Sequence, residues 1–400
     1  MKIPEYLDRD NYLQNPIIRR FFKDKNIKFA DNRSAYIKNL EEYSDASAEN
    51  ENEVKKWLLK IVKEGSKEIC YRKISGVDKN HRNPVWVDEK IKSKYPDCPM
   101  QNILEYKNTK ERKLIEYSII KDTSGNVTRI NFTFSKLMLY GKVGNFGEET
   151  VFPVFIELYL NHGMIISRAK AKSTIYNYSR DDEFLISEER IQTMDYAVSV
   201  IDEVIGVLGL NAEKDKKIVE NRNSKMLYEL YQKYSFTPKD VDKKVENMVK
   251  YNRDYVDEVF KRLNLDIKNK PRALMDIKIF VEKYISINGD NEDLFKDREA
   301  YLIKVATDDE IELTKIDTAS YHAVPLQCTE AFFDSKKSIV KSKKCNKLNL
   351  IFRRTNDLYL KNTPLIIQFG TNKGYGYFKT MQYAEEADIQ NVLQTIFRYY

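Results

Sequence analysis

The sequence predicts a mixed α/β protein of the α+β kind, a small N-terminal helical module followed by antiparallel-sheet-plus-helix domains. Three observations carry this. Amphipathic stripes at helical spacing crowd the first 65 residues, strand pairs around Gly/Asn turns recur later, and 400 residues exceed one ordinary core. Single cores stop growing near roughly 250–300 residues, so more than one domain is expected. A 42% hydrophobic fraction suffices for real cores, and 32% charge is high without being disorder-like.

The elements follow in order. Ile17, Ile18, Phe21 and Phe22 share one helical face, and Tyr36, Ile37 and Leu40 make a second stripe. After the polar stretch from Ser44, Val54, Trp57, Leu58, Ile61 and Val62 give a third helix ending near Gly65. These define a module over 1–75. Residues 76–99 carry three prolines with little periodicity and read as a linker or irregular segment. An α+β domain is expected over 100–211. Its strands Leu114–Lys121 and Val127–Phe134 flank a turn at Gly125 and Asn126, and Val151–Leu160 and Met164–Lys170 flank Asn161-His162-Gly163. Ile191, Met194, Val198, Ile201, Val204, Ile205 and Leu208 then form a helix closed by Gly209.

Residues 212–400 read as a helical segment leading into a second α+β domain. Thr237-Pro238-Lys239-Asp240 has the pattern of a helix start, with Thr as the cap. Tyr301–Ala306 and Ile311–Ile316 form a hairpin around Thr307-Asp308-Asp309-Glu310. Leu348–Phe352 and Leu365–Phe369 are further strands, and Ile389, Val392, Leu393, Ile396 and Phe397 mark a final helix.

Composition narrows the function. No apolar run approaches the ~18–20 residues that span a bilayer, and the N-terminal decapeptide lacks a secretory apolar stretch, so a cytoplasmic protein without a membrane partner is expected. Cys70, Cys98, Cys328 and Cys345 are scattered, and only His81, His162 and His322 exist. Closed metal sites need ligands at short spacings, so no metal and no cofactor is expected.

The net charge of +7 is unevenly spread. Asp334–Arg354 holds eight basic residues and one acid, Pro16–Lys38 seven and two, and the remainder sums to about −5. Two basic islands on a slightly acidic chain point to a polyanion partner such as nucleic acid, with double-stranded DNA favoured. The second island is read as a lysine-rich loop in which Lys336, Lys337, Lys341, Lys343, Lys344 and Lys347, followed by Arg353 and Arg354, hold phosphates.

Within the first island, Asn26–Leu40 reads N-I-K-F-A-D-N-R-S-A-Y-I-K-N-L. Over residues 16–43 this resembles the SAP motif, a helix–linker–helix DNA-binding module with a core near G-L-P-x-S-G-x-K-x-x-L-I-x-R-L. Ile27, Arg33, Tyr36, Ile37 and Leu40 fall on its hydrophobic and basic positions. Asp31 stands at its glycine, Ala30 at its serine, Lys28 at its proline and Asn39 at its arginine. The resemblance implies duplex contact through Arg33 and flanking cations, here Arg19, Arg20, Lys28 and Lys38.

Other constellations compete. Gly370-Thr-Asn-Lys373-Gly374-Tyr-Gly376 has lysine before the glycine, unlike a phosphate-cradling loop, and reads as a turn. Glu310, Glu312 and Lys315, beside Asp308, Asp309 and Asp317, are the acids and lysine best placed for metal-dependent nuclease chemistry, with Asp276 and Lys278 a second pair. His322 lies near Ser320 and Cys328 in sequence, a weak hint of nucleophilic chemistry. The leading expectation is a DNA-associated binding protein. The alternatives are a metal-dependent nuclease of a prokaryotic antiviral-defence or mobile-element system, and an assembly subunit docking acidic proteins.

Overall fold

The computed structural model describes residues 1–29, 32–141, 148–172, 174–181, 184–213, 215–289, 298–309, 314–320, 324–354, 364–372 and 374–400. The fold is mixed α/β: antiparallel sheets with helices, and a helical region at the N-terminus. The chain forms two compact units, one of residues 1–219, 354–363 and 373–398, the other of 220–353, 364–372 and 399–400.

The first unit opens with α1 (Glu5–Arg9), α2 (Asn15–Asp24), α3 (Arg33–Asp45) and α4 (Ala48–Lys63). Asn32 and Ser47 cap α3 and α4 by accepting from the amides of Ala35 and Asn50. There follow β1 (Lys67–Ser75), α5 (Pro84–Lys94), β2 (Lys113–Lys121), β3 (Val127–Ser135), β4 (Leu137–Tyr140), β5 (Glu148–Val151), β6 (Val154–Tyr159), β7 (Met164–Lys170), β8 (Ile175–Asp181), β9 (Phe184–Ile191), α6 (Thr193–Leu208) and β10 (Asn211–Ala212). In its main sheet β1 pairs with β7, β7 with β6, β6 with β3 and β3 with β2, all antiparallel. A smaller sheet runs β5-β4-β8-β9.

Strand β6 is buried at every position because both faces of the main sheet are covered. Val154, Ile156 and Leu158 point into the core beneath α5 and α6, while Phe155 joins the core of α1–α4. The N-terminal helices thus share their apolar interior with Ile115, Val151 and Phe155 of the strands. Gly125 and Gly163 take positive φ in the two expected hairpins, and Gly209 closes α6 in the left-handed region at φ 67°.

Two expectations are corrected here. Residues 76–99 contain α5, whose start is an Asn83 cap accepting from Val85 and Trp86 with Pro84 behind it. It buries only Val87 and Ile91, which leaves a faint stripe. The strand expected over Val151–Leu160 is broken between β5 and β6, where Pro153 cannot donate to a ladder.

The second unit takes most of α7 (Lys216–Ser235), then α8 (Lys239–Asn247), α9 (Val249–Arg262), α10 (Lys270–Ile287), β11 (Ala300–Asp309), β12 (Thr314–Ala319), α11 (Glu330–Ser342), β13 (Lys347–Phe352) and β14 (Leu365–Asn372). Its sheet runs β12-β11-β13-β14, antiparallel throughout. β15 (Tyr375–Thr380) pairs with β1, and α12 (Glu386–Tyr399) follows it. Before α8, the Thr237 hydroxyl donates to Glu282 at 2.7 Å instead of capping the helix.

Candidate functional site

The second basic island is not one loop: Lys336, Lys337 and Lys341 lie on α11, Lys343 and Lys344 in the turn that follows it, and Lys347 opens β13. Phe332, Phe333 and Ile339 are buried, so α11 presents one face inward and turns Lys337, Val340 and Lys341 to solvent. Lysine is a good helix former, and the apolar residues set the register that composition alone conceals. The helix stops at Lys343, which takes the left-handed conformation at φ 51°.

Across from α11 stands α10, whose buried residues are Glu282 and Ser286. Lys336 reaches both Glu282 oxygens at 2.8 and 2.9 Å, and Lys337 pairs with Asp276. Lys283 approaches Asp334 at 3.4 Å. Between the helices lies a groove of about 480 Å³. Its cations are Arg272 and Lys278 from α10 and Lys336, Lys337 and Lys341 from α11. Asp242, Asp276 and Glu282 oppose them, and Met275, Ile279 and Val340 supply apolar surface. Arg272 and Lys278, both exposed, make no ion pair among the described residues. Lys341, Lys343 and Lys347 are exposed and Lys344 is half-buried.

The island's last members part company. Arg353 is exposed, whereas the Arg354 side chain is buried against Asp388 at 2.7 Å and the Tyr383 carbonyl at 2.8 Å, all within the first unit. Arg354 is therefore a structural cation.

Most of the first island is answered from within. Arg33 donates to Asp8, to Asn15 Oδ1 at 2.6 Å and to the Leu13 carbonyl. Arg19 Nε donates to the Tyr36 hydroxyl at 2.9 Å. Arg20 reaches Glu385 at 3.2 Å and Asp24 at 3.5 Å, and Lys25 reaches Glu53 at 2.7 Å. Lys38 lies 3.5 Å from Glu42 on the surface. Lys28 is exposed, its carbonyl accepting from Asn39. The cap on α3 already occupies the Ala35 amide. Ala30 and Asp31 lie outside the described residues.

Glu310, Glu312, His322 and Lys373 also lie outside the described residues, and the backbone alone is described at Asp308, Asp309 and Lys315. Asp317 pairs with Lys304 at 2.8 Å. Asp276 is held by Lys337 while Lys278, on the same helix, is not. Ser320 donates to the Ile303 carbonyl. Burial pushes the Cys328 thiol up to about 11, which works against thiolate chemistry. His81 Nδ1 lies 2.7 Å from Asp78, and its Nε2 lies 3.0 Å from the Leu208 carbonyl, a packing role. No group of three or more metal-ligating side chains exists among the described residues. Nor is any helix among them long and apolar enough to cross a membrane.

Residues that sequence reasoning missed include Arg168, fully buried between Glu157 at 2.7 Å and Glu386 at 2.6 Å. Lys67 and Lys170 on the Tyr12 ring, and Lys172 on the Tyr140 ring beside Asp10, were missed as well. No local pattern announces either cluster, since their members come from separate strands and helices. Arg272 and Lys278 did carry a signal, as cations on a helix whose apolar residues run all round it. No protein-family model matches the chain, and no curated protein is detectably similar to it.

Proposed function

We propose that this chain is a nucleic-acid-associated binding protein that grips phosphates through the α10–α11 face of its second unit. The observation that carries the reading is the convergence of five cations from two helices on one groove. Two of them, Arg272 and Lys278, have no carboxylate partner among the described residues. Lysine and arginine on a surface of this kind supply salt-dependent affinity without reading sequence. Exposed Lys341, Lys343 and Lys347, at and just beyond the end of α11, extend the positive surface. The SAP-like region contributes through exposed Lys28 and Lys38, while Arg33 serves as an internal staple. Duplex DNA is the favoured ligand.

A second reading, an assembly subunit docking an acidic protein, draws on a different observation. Ten of the nineteen exposed large apolar residues found among the described residues lie between Met248 and Tyr284. Exposed apolar surface rimmed by charge marks protein interfaces. Fluorescence anisotropy on labelled duplex DNA, single-stranded DNA and RNA at two salt concentrations, with and without magnesium, separates the readings. Binding that weakens with salt and leaves the probe intact supports the first. Magnesium-dependent cleavage supports the nuclease alternative, and no binding to any probe rejects the nucleic-acid reading.

A further inference from the structure

The first unit holds a cavity of about 290 Å³ in which the α10–α11 groove has no part. Its floor is one face of the β3–β6 pair. Side chains alternate along a strand, so Arg129, Asn131 and Thr133 share that face with their cross-strand partners Tyr159, Glu157 and Phe155. Lys60 and Lys63 of α4 and Glu386 of α12 complete the lining.

The acids of this lining are answered from within. Fully buried Arg168 reaches Glu157 at 2.7 Å and both Glu386 oxygens at 2.6 and 3.1 Å. The other Glu157 oxygen accepts from the Tyr159 hydroxyl, and Glu386 also accepts from Gln390 at 2.7 Å. The cations are not answered. Arg129 and Lys63 make no hydrogen bond or ion pair among the described residues. Arg129 rests on the Tyr159 ring at 5.6 Å from its centre and Lys63 on the Phe155 ring at 5.4 Å, with Lys63 acting on Glu386 at longer range. Lys60 lies 3.7 Å from Glu64, whose oxygens already accept from the Glu386 amide and the Tyr383 hydroxyl. Thr133, 6% exposed, lines the cavity, and its hydroxyl has no hydrogen-bond partner among the described residues. A hydroxyl buried to that degree without a partner is costly, and an acceptor placed in the cavity would recover the loss.

We propose that this cavity is a binding site for a small monocarboxylate that carries a second hydrogen-bond acceptor at its far end. Charge sets the first part. Counting Arg168 and Glu64 with the lining, four cations face three carboxylates, which leaves one positive charge to be matched. Arginine's planar fork suits a carboxylate, so Arg129 takes that end. Spacing sets the second part. Four residues of strand put about 13 Å between the Cα atoms of Arg129 and Thr133, so the hydroxyl serves the opposite end, beside Lys63 on the Phe155 ring. Size sets the class. The volume equals that of about ten waters, which admits a ligand of about ten non-hydrogen atoms and excludes a nucleotide.

Calorimetric titration of the full-length chain with 4-hydroxybenzoate, whose carboxylate and hydroxyl stand at opposite ends of a flat body, tests the site. One site is expected, with a Kd of about 1 mM or tighter. Arg129→Met should weaken binding at least about tenfold, since charge-assisted hydrogen bonds are lost. Thr133→Val keeps the shape of a β-branched strand residue and should weaken 4-hydroxybenzoate about two- to tenfold. Benzoate lacks the far hydroxyl, so it should bind the wild type more weakly by a similar factor and be indifferent to Thr133→Val. Should Arg129→Met not fold, Thr133→Val with the two ligands decides alone. Absence of one-site binding, or a 4-hydroxybenzoate affinity unchanged by Thr133→Val, overturns the proposal, because attraction to surface cations at large would ignore that hydroxyl. Inorganic phosphate displacing 4-hydroxybenzoate at lower concentration than benzoate does overturns the carboxylate assignment.

Discussion

Replacing Arg272 and Lys278 together with Ala tests the groove where it is least entangled with stability. Both side chains are exposed and neither holds an acid among the described residues, so truncation strands no partner. Ala is also the best helix former, so α10 should persist. If each cation neutralises one phosphate of duplex DNA, the pair contributes a salt slope of about −1.8. The affinity loss should then be about 60-fold at 0.1 M salt and shrink to about 12-fold at 0.25 M. Anisotropy titrations of one duplex at four salt concentrations measure both quantities. Unrelated duplexes should lose affinity alike, since the contact is to backbone. An unchanged slope in the double variant removes this face from any nucleic-acid interface. A loss of affinity independent of salt would refute the phosphate argument while leaving an apolar docking role.

The remaining expectations concern stability. Lys336→Ala leaves Glu282, 6% exposed, without its cation, and should cost about 2–3 kcal/mol in urea denaturation, below the range for fully buried pairs because Lys336 is partly exposed. A loss under 1 kcal/mol would show that the pair is not what orders α10 against α11. Arg33→Lys should destabilise nearly as much as Arg33→Ala, since one ammonium cannot serve Asp8, Asn15 and the Leu13 carbonyl together; full thermal stability in the Lys variant refutes the staple. For Lys170 burial, then Lys172, hold the folded amine at about 7 while the unfolded one lies near 10.4, so the unfolded chain binds more protons between these values and stability rises with pH. From pH 7 to 8.5, below the range where unfolded tyrosines titrate, this group should add about 1.5 kcal/mol. Lys170→Met should lack that gain, and equal pH dependence in both proteins refutes the assignment.

How much of this was legible in the sequence depends on the range of the interaction involved. The amphipathic stripes of α2 and α4, the hairpin turns at Gly125 and Gly163, and the Gly209 stop on α6 are local, and they are where the pattern puts them. The Asn83-Pro84 start of α5 was equally local but came with a stripe of only two buried residues, too short to show a period. Charge is different. A run of lysines tells where cations lie along the chain, and nothing about which are already answered. Lys336 is answered by an acid 54 residues away, Lys337 by one 61 away, and Arg20 by one 365 away. Of the sequence's two basic islands, the first looked the more specific because it resembles a known motif, yet its arginines are largely tied to partners of its own chain. Arg272 and Lys278 belonged to neither island and make no ion pair among the described residues. The reason lies in α10 itself, which buries Glu282 and Ser286 and leaves Met275, Phe280 and Tyr284 in water. A helix that turns its acid inward to neutralise Lys336 frees its outer cations and apolar groups together. That inversion gives the groove both its charge and its apolar surface.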